Sequence, residues 1–124
     1  MTHNDEWPDI REVHQQPDMV TLEVFIPATL RNLAKASATV TSLPGILQLQ
    51  WVIHYANVYF PLHHCNANTV ETLHYLTAIP AGQTISLTLE HRPINRIRFT
   101  YHQGSMIFSS GQLRFTGDVK PDLD

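Results

Sequence analysis

The chain has 124 residues, a formal charge of −3, 43% apolar and 15% charged side chains, and a single cysteine, Cys65. That length suits one domain spanning 1–124 with a real core, and the composition is that of a folded protein, not a disordered one. Its eight Lys and Arg are scattered and form no basic stripe for a phosphate backbone, so nucleic acid is not an expected partner, and one cysteine excludes an internal disulfide.

"MTHNDEWPDI" has neither a basic nor an apolar leader segment, so the cytoplasm is the expected compartment, and residues 1–8 are expected to be a loose end, like 117–124. The following "DIREVHQQPD" offers only Ile10 and Val13 as apolar positions and reads as a short strand or an irregular arm. From Met19 to Ile26 the apolar residues Val20, Leu22, Val24 and Ile26 alternate with more polar neighbours, the pattern of a half-buried strand, and Pro27 stops it. "ATLRNLAKA" can make a turn or two of helix, which "SATVTS" does not continue.

A second helix is expected from Ser42, a candidate N-cap, through Pro44 in the first turn to Tyr59, with Pro61 ending it. Leu43, Ile46, Leu47, Leu49, Val52, Ile53, Ala56 and Phe60 spread over most of its circumference and predict a central helix wrapped by other elements. Gln48, Gln50, His54 and Asn57 interrupt the apolar run and would be costly in lipid, so no membrane partner is expected. Four strands follow in "TVETLHYLTAI", "QTISLTLEH", "RIRFTYH" and "SMIFSSGQLRF", with turns at Ala81-Gly82, Pro93-Ile94-Asn95 and Gln103-Gly104. They predict an antiparallel meander, and the whole an α+β layer: a curved antiparallel sheet wrapped around one long helix, with its core at about 19–115.

Strand, central helix, then meander is the order of the hotdog fold, and the residues carry the resemblance further. "PATLRNLAKASATVTSLPGILQLQW" resembles the stretch of 3-hydroxyacyl-carrier-protein dehydratases that carries Gly-His-Phe-Pro, a spacer and a Leu-Pro-Gly-Val helix start. It is most similar to the thioester dehydratase subfamily of aryl-polyene gene clusters, whose helix continues Gln-Leu-Asp-Trp where this chain has Gln48-Leu49-Gln50-Trp51. "TLHYLTAIPAGQTISLTLE" resembles that subfamily's Lys-Phe strand, Pro-Gly turn and next strand, with Ala81 in place of the turn proline; "RIRFTYH" and "SSGQLRF" also fit. The resemblance covers Met19 to Phe115.

It implies a lyase acting on acyl thioesters of fatty-acid or polyene synthesis, a reaction that needs a base for the C2 proton, an acid for the departing hydroxyl and a donor for the thioester oxygen. The resemblance gives the base to the motif histidine and the acid to a helix carboxylate; those positions are Ala36, within Lys35-Ala36-Ser37-Ala38, and Gln50. Neither side chain titrates, so the expected protein is a pseudoenzyme. The donor survives as the Gly45 backbone N–H at the positive end of the helix, and Leu43, Pro44, Gly45 and Ile46 are the expected acyl-binding residues. The plain alternative is that Leu-Pro-Gly serves as a stiff, close-packing helix entrance.

The resembled family builds each site across a dimer, with histidine from one subunit and the carboxylate from the other. A homodimer, or a heterodimer with an active relative, is therefore expected, together with an acyl thioester or acyl carrier protein as partner; no cofactor or metal is implied. In a mixed dimer each site would still lack one group, so this chain would contribute stability, carrier docking or room for the acyl chain. A competing reading is an active dehydratase or thioesterase with Gln50 orienting water and His54, one turn later, as a displaced base; a third is a purely structural interaction module.

Other candidates carry less. Three adjacent side chains, His63-His64-Cys65, cannot easily converge on one zinc. Glu71 and Glu90 have no second carboxylate at glycosidase spacing. Ser109-Ser110-Gly111 lacks the strand–turn–helix setting of a nucleophile elbow, and Ser37 has no base beside it.

Overall fold

The structure is a computed structural model describing residues 6–31, 33–35, 41–62 and 65–117, with the backbone alone at 35, 65–68 and 117. Ala36, Ser37, Ala38, His63 and His64 lie outside the described residues.

Strands β1 (Asp9–Gln16), β2 (Met19–Phe25), β5 (Cys65–Tyr75), β6 (Thr84–Arg92), β7 (Arg96–Gln103) and β8 (Met106–Gly117) form one antiparallel sheet in the order β1-β2-β6-β7-β8-β5. A two-stranded ribbon, β3 (Ala34–Lys35) and β4 (Thr41–Ser42), forms a separate sheet and is tied by a Ser42–Pro80 bridge to the segment that precedes β6. The helix α1 (Gly45–Tyr59) lies on the concave face. This is the hotdog fold.

Alternation builds the core. Val20, Leu22 and Val24 pair in register with Leu89, Leu87 and Ile85, which continue to Phe99 and Tyr101 on β7, and all of these side chains are at most 1% exposed. On β8, Gly111 stands opposite the Phe99 ring. A Cβ there would meet the Thr72 carbonyl oxygen at 2.5 Å and the Phe99 ring at 2.8 Å, so no larger residue fits beneath that ring. Of the expected turns, Gly82 and Gly104 take positive φ (82° and 59°), as do Ile94 and Asn95 (62° and 54°), the β-branched Ile94 unusually so.

Several expectations need correction. β6, β7 and β8 form a meander, but β5 does not precede β6 in it: it crosses to the far edge and pairs with β8. "ATLRNLAKA" contains no helix among its described residues; Leu30 N–H closes a turn on Pro27, and Ala34 and Lys35 pair with β4. Pro44, not Ser42, is the N-cap, in extended conformation without a side-chain hydrogen bond, because Ser42 is held in the β ribbon.

Nor is α1 wrapped on all sides. Leu47, Gln48, Trp51, Val52, Tyr55 and Ala56 face the sheet, while Ile46 and Val58 are 73% and 57% exposed, because one sheet covers one face. The helix does end as expected. Phe60, extended as a residue before proline must be, donates its N–H to Ala56 O and Pro61 follows. At the N-terminal side, Glu6 to Pro8 are not loose: Glu6 O accepts the Trp51 indole N–H at 2.9 Å, and the Trp7 ring lies 4.5 Å from that of His54.

Candidate functional site

The entrance of α1 is where the sequence motif, a cavity and an unusual close approach coincide. Leu-Pro-Gly enters the helix with Pro44 O accepting from both Leu47 and Gln48 N–H at 3.1 Å, which leaves the N–H groups of Gly45 and Ile46 without acceptors inside the helix. The first turn contains no acidic residue. Leu43 N–H donates to Ile79 O at 2.9 Å and Ala81 N–H to Thr41 O at 3.0 Å, fixing the entrance against the segment before β6.

Across this entrance lies Tyr75, the last residue of β5. A Cβ built on Gly45 would overlap the Tyr75 hydroxyl oxygen and stand 2.6 Å from Cζ and 3.2 Å from Cε1 of the ring. The glycine lets the Tyr75 ring approach this closely, and no left-handed backbone is involved. Leu76 and Thr77 N–H both donate to Phe108 O, at 2.9 and 3.1 Å, and hold the corner that follows Tyr75. Between this corner and the helix is a cavity of about 290 Å³ lined by Ser42, Leu43, Gly45, Gln48, Tyr75 and residues 76–78. Partial burial pushes the Tyr75 phenol above its ordinary pKa, so it stays protonated at neutral pH.

Beneath the cavity floor is a polar cluster that the sequence reading missed. Gln48, 4% exposed, accepts a hydrogen bond from Ser109 Oγ at its Oε1 (2.7 Å) and donates from Nε2 to Leu43 O (3.0 Å), while its backbone carbonyl accepts from the Tyr101 hydroxyl (2.6 Å). Ser109 and Tyr101 are both fully buried, and burial raises the Tyr101 phenol well above its usual pKa. The available signal was a glutamine one residue after Leu47 in the buried stripe, with a serine at an inward-facing position of β8.

The expected site residues separate. Leu43 and Gly45 line the cavity, Pro44 caps the helix beside it, and Ile46 points outward. Gln50 and His54 lie on the exposed face of α1 and do not line the cavity; the His54 ring packs on Trp7 instead. Ala36, at the other end of the expected catalytic pair, lies outside the described residues. Glu71 accepts from Arg96 Nε at 2.7 Å and Gln112 Nε2 at 2.9 Å, a pairing that lowers its carboxyl pKa and accounts for it without chemistry. A larger open groove of about 620 Å³ lies between the β1–β2 and β6–β7 turns, around Asp18, Glu90 and Arg92, away from all these residues.

A helix cradled by a curved antiparallel sheet, with a cavity lined by Gly45 at its entrance, defines a hotdog-fold protein. A family model of ApeI-like proteins, described as ApeI dehydratase, matches residues 12–112, and the chain belongs to that family. Two solved structures share the fold. The dehydratase heterocomplex ApeI:P from Xenorhabdus doucetiae superposes with a TM-score of 0.78 at 19% identity, covering 88% of this chain and 97% of the other. An uncharacterized protein from Erwinia carotovora subsp. atroseptica superposes with a TM-score of 0.75 at 22% identity, covering 92% and 99%. No protein of curated function matches the sequence. Among the described residues no helix is long and apolar enough to cross a membrane.

Proposed function

We propose that this chain is a catalytically degenerate dehydratase-like subunit that binds an acyl thioester, free or on a carrier protein, at the entrance of α1 and works with a second subunit in fatty-acid or polyene synthesis. The observation that carries the reading is the pairing of a retained donor with missing proton carriers. Gly45 lines the cavity and its N–H has no acceptor inside the helix, yet the helix position that the resemblance assigns to the acid is Gln50, whose amide cannot exchange a proton with substrate. Ala36 has no titratable group at the position assigned to the base.

Association is supported by surface left uncovered in one chain. β5 is an edge strand, and Val70, Tyr75, Leu76 and Ile46, on that strand, at its end and at the helix entrance, are 49–73% exposed. Edges and apolar surface of this kind are ordinarily covered by a partner. The related ApeI:P dehydratase is itself a heterocomplex, which favours a different subunit over a second copy.

The test is an assay on a 3-hydroxyacyl-pantetheine with the natural chain and with Ala36→His plus Gln50→Asp. Turnover gained only by the double variant supports a degenerate site. Robust turnover by the natural chain, abolished by His54→Ala, would establish the competing reading with a displaced base.

A further inference from the structure

The cavity at the α1 entrance offers hydrogen-bond donors without an acceptor among the described residues. Among the described residues the Tyr75 hydroxyl has no hydrogen-bond partner, although its oxygen is the atom nearest to where a Cβ on Gly45 would stand. Gln48 is 96% buried by its 4% exposure and lines the same cavity. Its amide orientation is fixed, because Nε2 must donate to Leu43 O and Oε1 accepts from Ser109, so one of the two amide N–H groups is left without an acceptor among the described residues. A buried donor of this kind is costly unless something fills it. Tyr75 is also the one acid–base side chain among the residues lining the cavity.

We infer that Tyr75 is a substrate-positioning residue whose phenol O–H, in the cavity that Gly45 also lines, donates a hydrogen bond to the carbonyl oxygen of the bound acyl thioester, with the spare Gln48 N–H completing a donor-lined pocket. The inference rests on the acyl-thioester reading above and deepens it. A thioester carbonyl fits because it is a pure acceptor, whereas an ammonium or amide N–H would face donors. The raised pKa of the phenol keeps it in the donating form across the neutral range. The close approach to Gly45 puts the hydroxyl at the helix entrance, and a carbonyl oxygen bound there would take the phenol and the backbone N–H as paired donors. No proton transfer is required of Tyr75, and none is assigned.

The experiment uses the full chain, a butyryl-pantetheine labelled with ¹³C at its carbonyl, and Tyr75→Phe, which keeps the ring packed on Gly45 and deletes only the hydroxyl. Affinity is read by calorimetry and the bound carbonyl stretch by isotope-edited infrared spectroscopy, which a merely structural role would not move. The expected result is about three- to tenfold weaker binding by the variant, the loss of one hydrogen bond, together with a shift of the bound carbonyl stretch to higher frequency. Binding by the natural chain with affinity and frequency unchanged in Tyr75→Phe overturns the role of Tyr75 and leaves the acyl-binding reading intact. No binding by the natural chain overturns both.

Discussion

Gly45→Ala separates the packing role of the glycine from its binding role. The new Cβ would stand 2.6 Å from Tyr75 Cζ, whereas carbon atoms prefer about 3.5–4.0 Å, so the ring must retreat by about 1 Å. It can do so. Tyr75 is 51% exposed and the clashing atoms are the outer end of its side chain. Moving the ring outward exposes roughly 50 Å² of apolar surface, a cost on the order of 1 kcal/mol at about 25 cal/mol per Å². Replacing glycine by alanine in a helix recovers up to about 1 kcal/mol. The two terms nearly cancel, so urea unfolding should give a stability within about 1 kcal/mol of the natural chain. Acyl-pantetheine affinity should nevertheless fall by about tenfold or more, because the methyl group crowds the Gly45 N–H and displaces the phenol. Adding Tyr75→Ala should then cost little further affinity, since the two residues act as one unit. A stability loss above about 3 kcal/mol would mean that Tyr75 cannot move, and full affinity would mean that the entrance is not the site.

Gly111→Ala should behave differently from Gly45→Ala, because its Cβ meets the Thr72 backbone and a fully buried Phe99 ring; a loss of about 1–3 kcal/mol is expected in the same unfolding assay. Ser109→Ala leaves Gln48 Oε1 without its buried donor and should cost about 1–3 kcal/mol, seen as a melting temperature lower by several degrees. Ile94→Gly relieves a β-branched residue at φ 62° that is 71% exposed and should stabilise by about 1 kcal/mol, with an unchanged or lower midpoint counting against that backbone. Burial, and then the neighbouring Tyr59, push the Tyr55 phenol up to about 12, and Tyr101 is also raised. The folded chain thus keeps protons that the unfolded chain releases above pH about 10, so stability should be level below that pH and fall between about 10 and 12, as urea midpoints across the range would show.

Much of the fold was legible because burial leaves a local imprint. β2, β6 and β7 show alternation wherever one face meets the helix, and Pro61 marks the end of α1 through its effect on Phe60. Strand order is not local. Nothing in "TVETLHY" states that it pairs with β8 and not β6, and the meander expectation failed there. β1 stayed ambiguous because all eight of its residues are exposed, so it carries no inward-facing pattern to read. Trp7 was assigned to a loose end because its partners, His54 and Tyr55, are far away in sequence.

The site divides along the same line. Leu43 and Gly45 stand out as a motif, whereas Gln48 and Ser109 meet only when the sheet closes on the helix, and the two side chains are 61 residues apart. Gln50 drew attention through the resemblance, yet it is Gln48, two residues earlier, that lines the cavity. Tyr75 was passed over as a strand residue; its relation to Gly45 arises from the corner that follows β5.

A crystal structure of the chain with a non-hydrolysable acyl-pantetheine bound tests the acyl-site assignment most directly. The carbonyl oxygen, or its replacement, should sit within hydrogen-bonding distance of Gly45 N and the Tyr75 hydroxyl, with the acyl chain entering the cavity above Gln48. Ligand density in the groove between the β1–β2 and β6–β7 turns instead, with the α1 entrance empty, would contradict it.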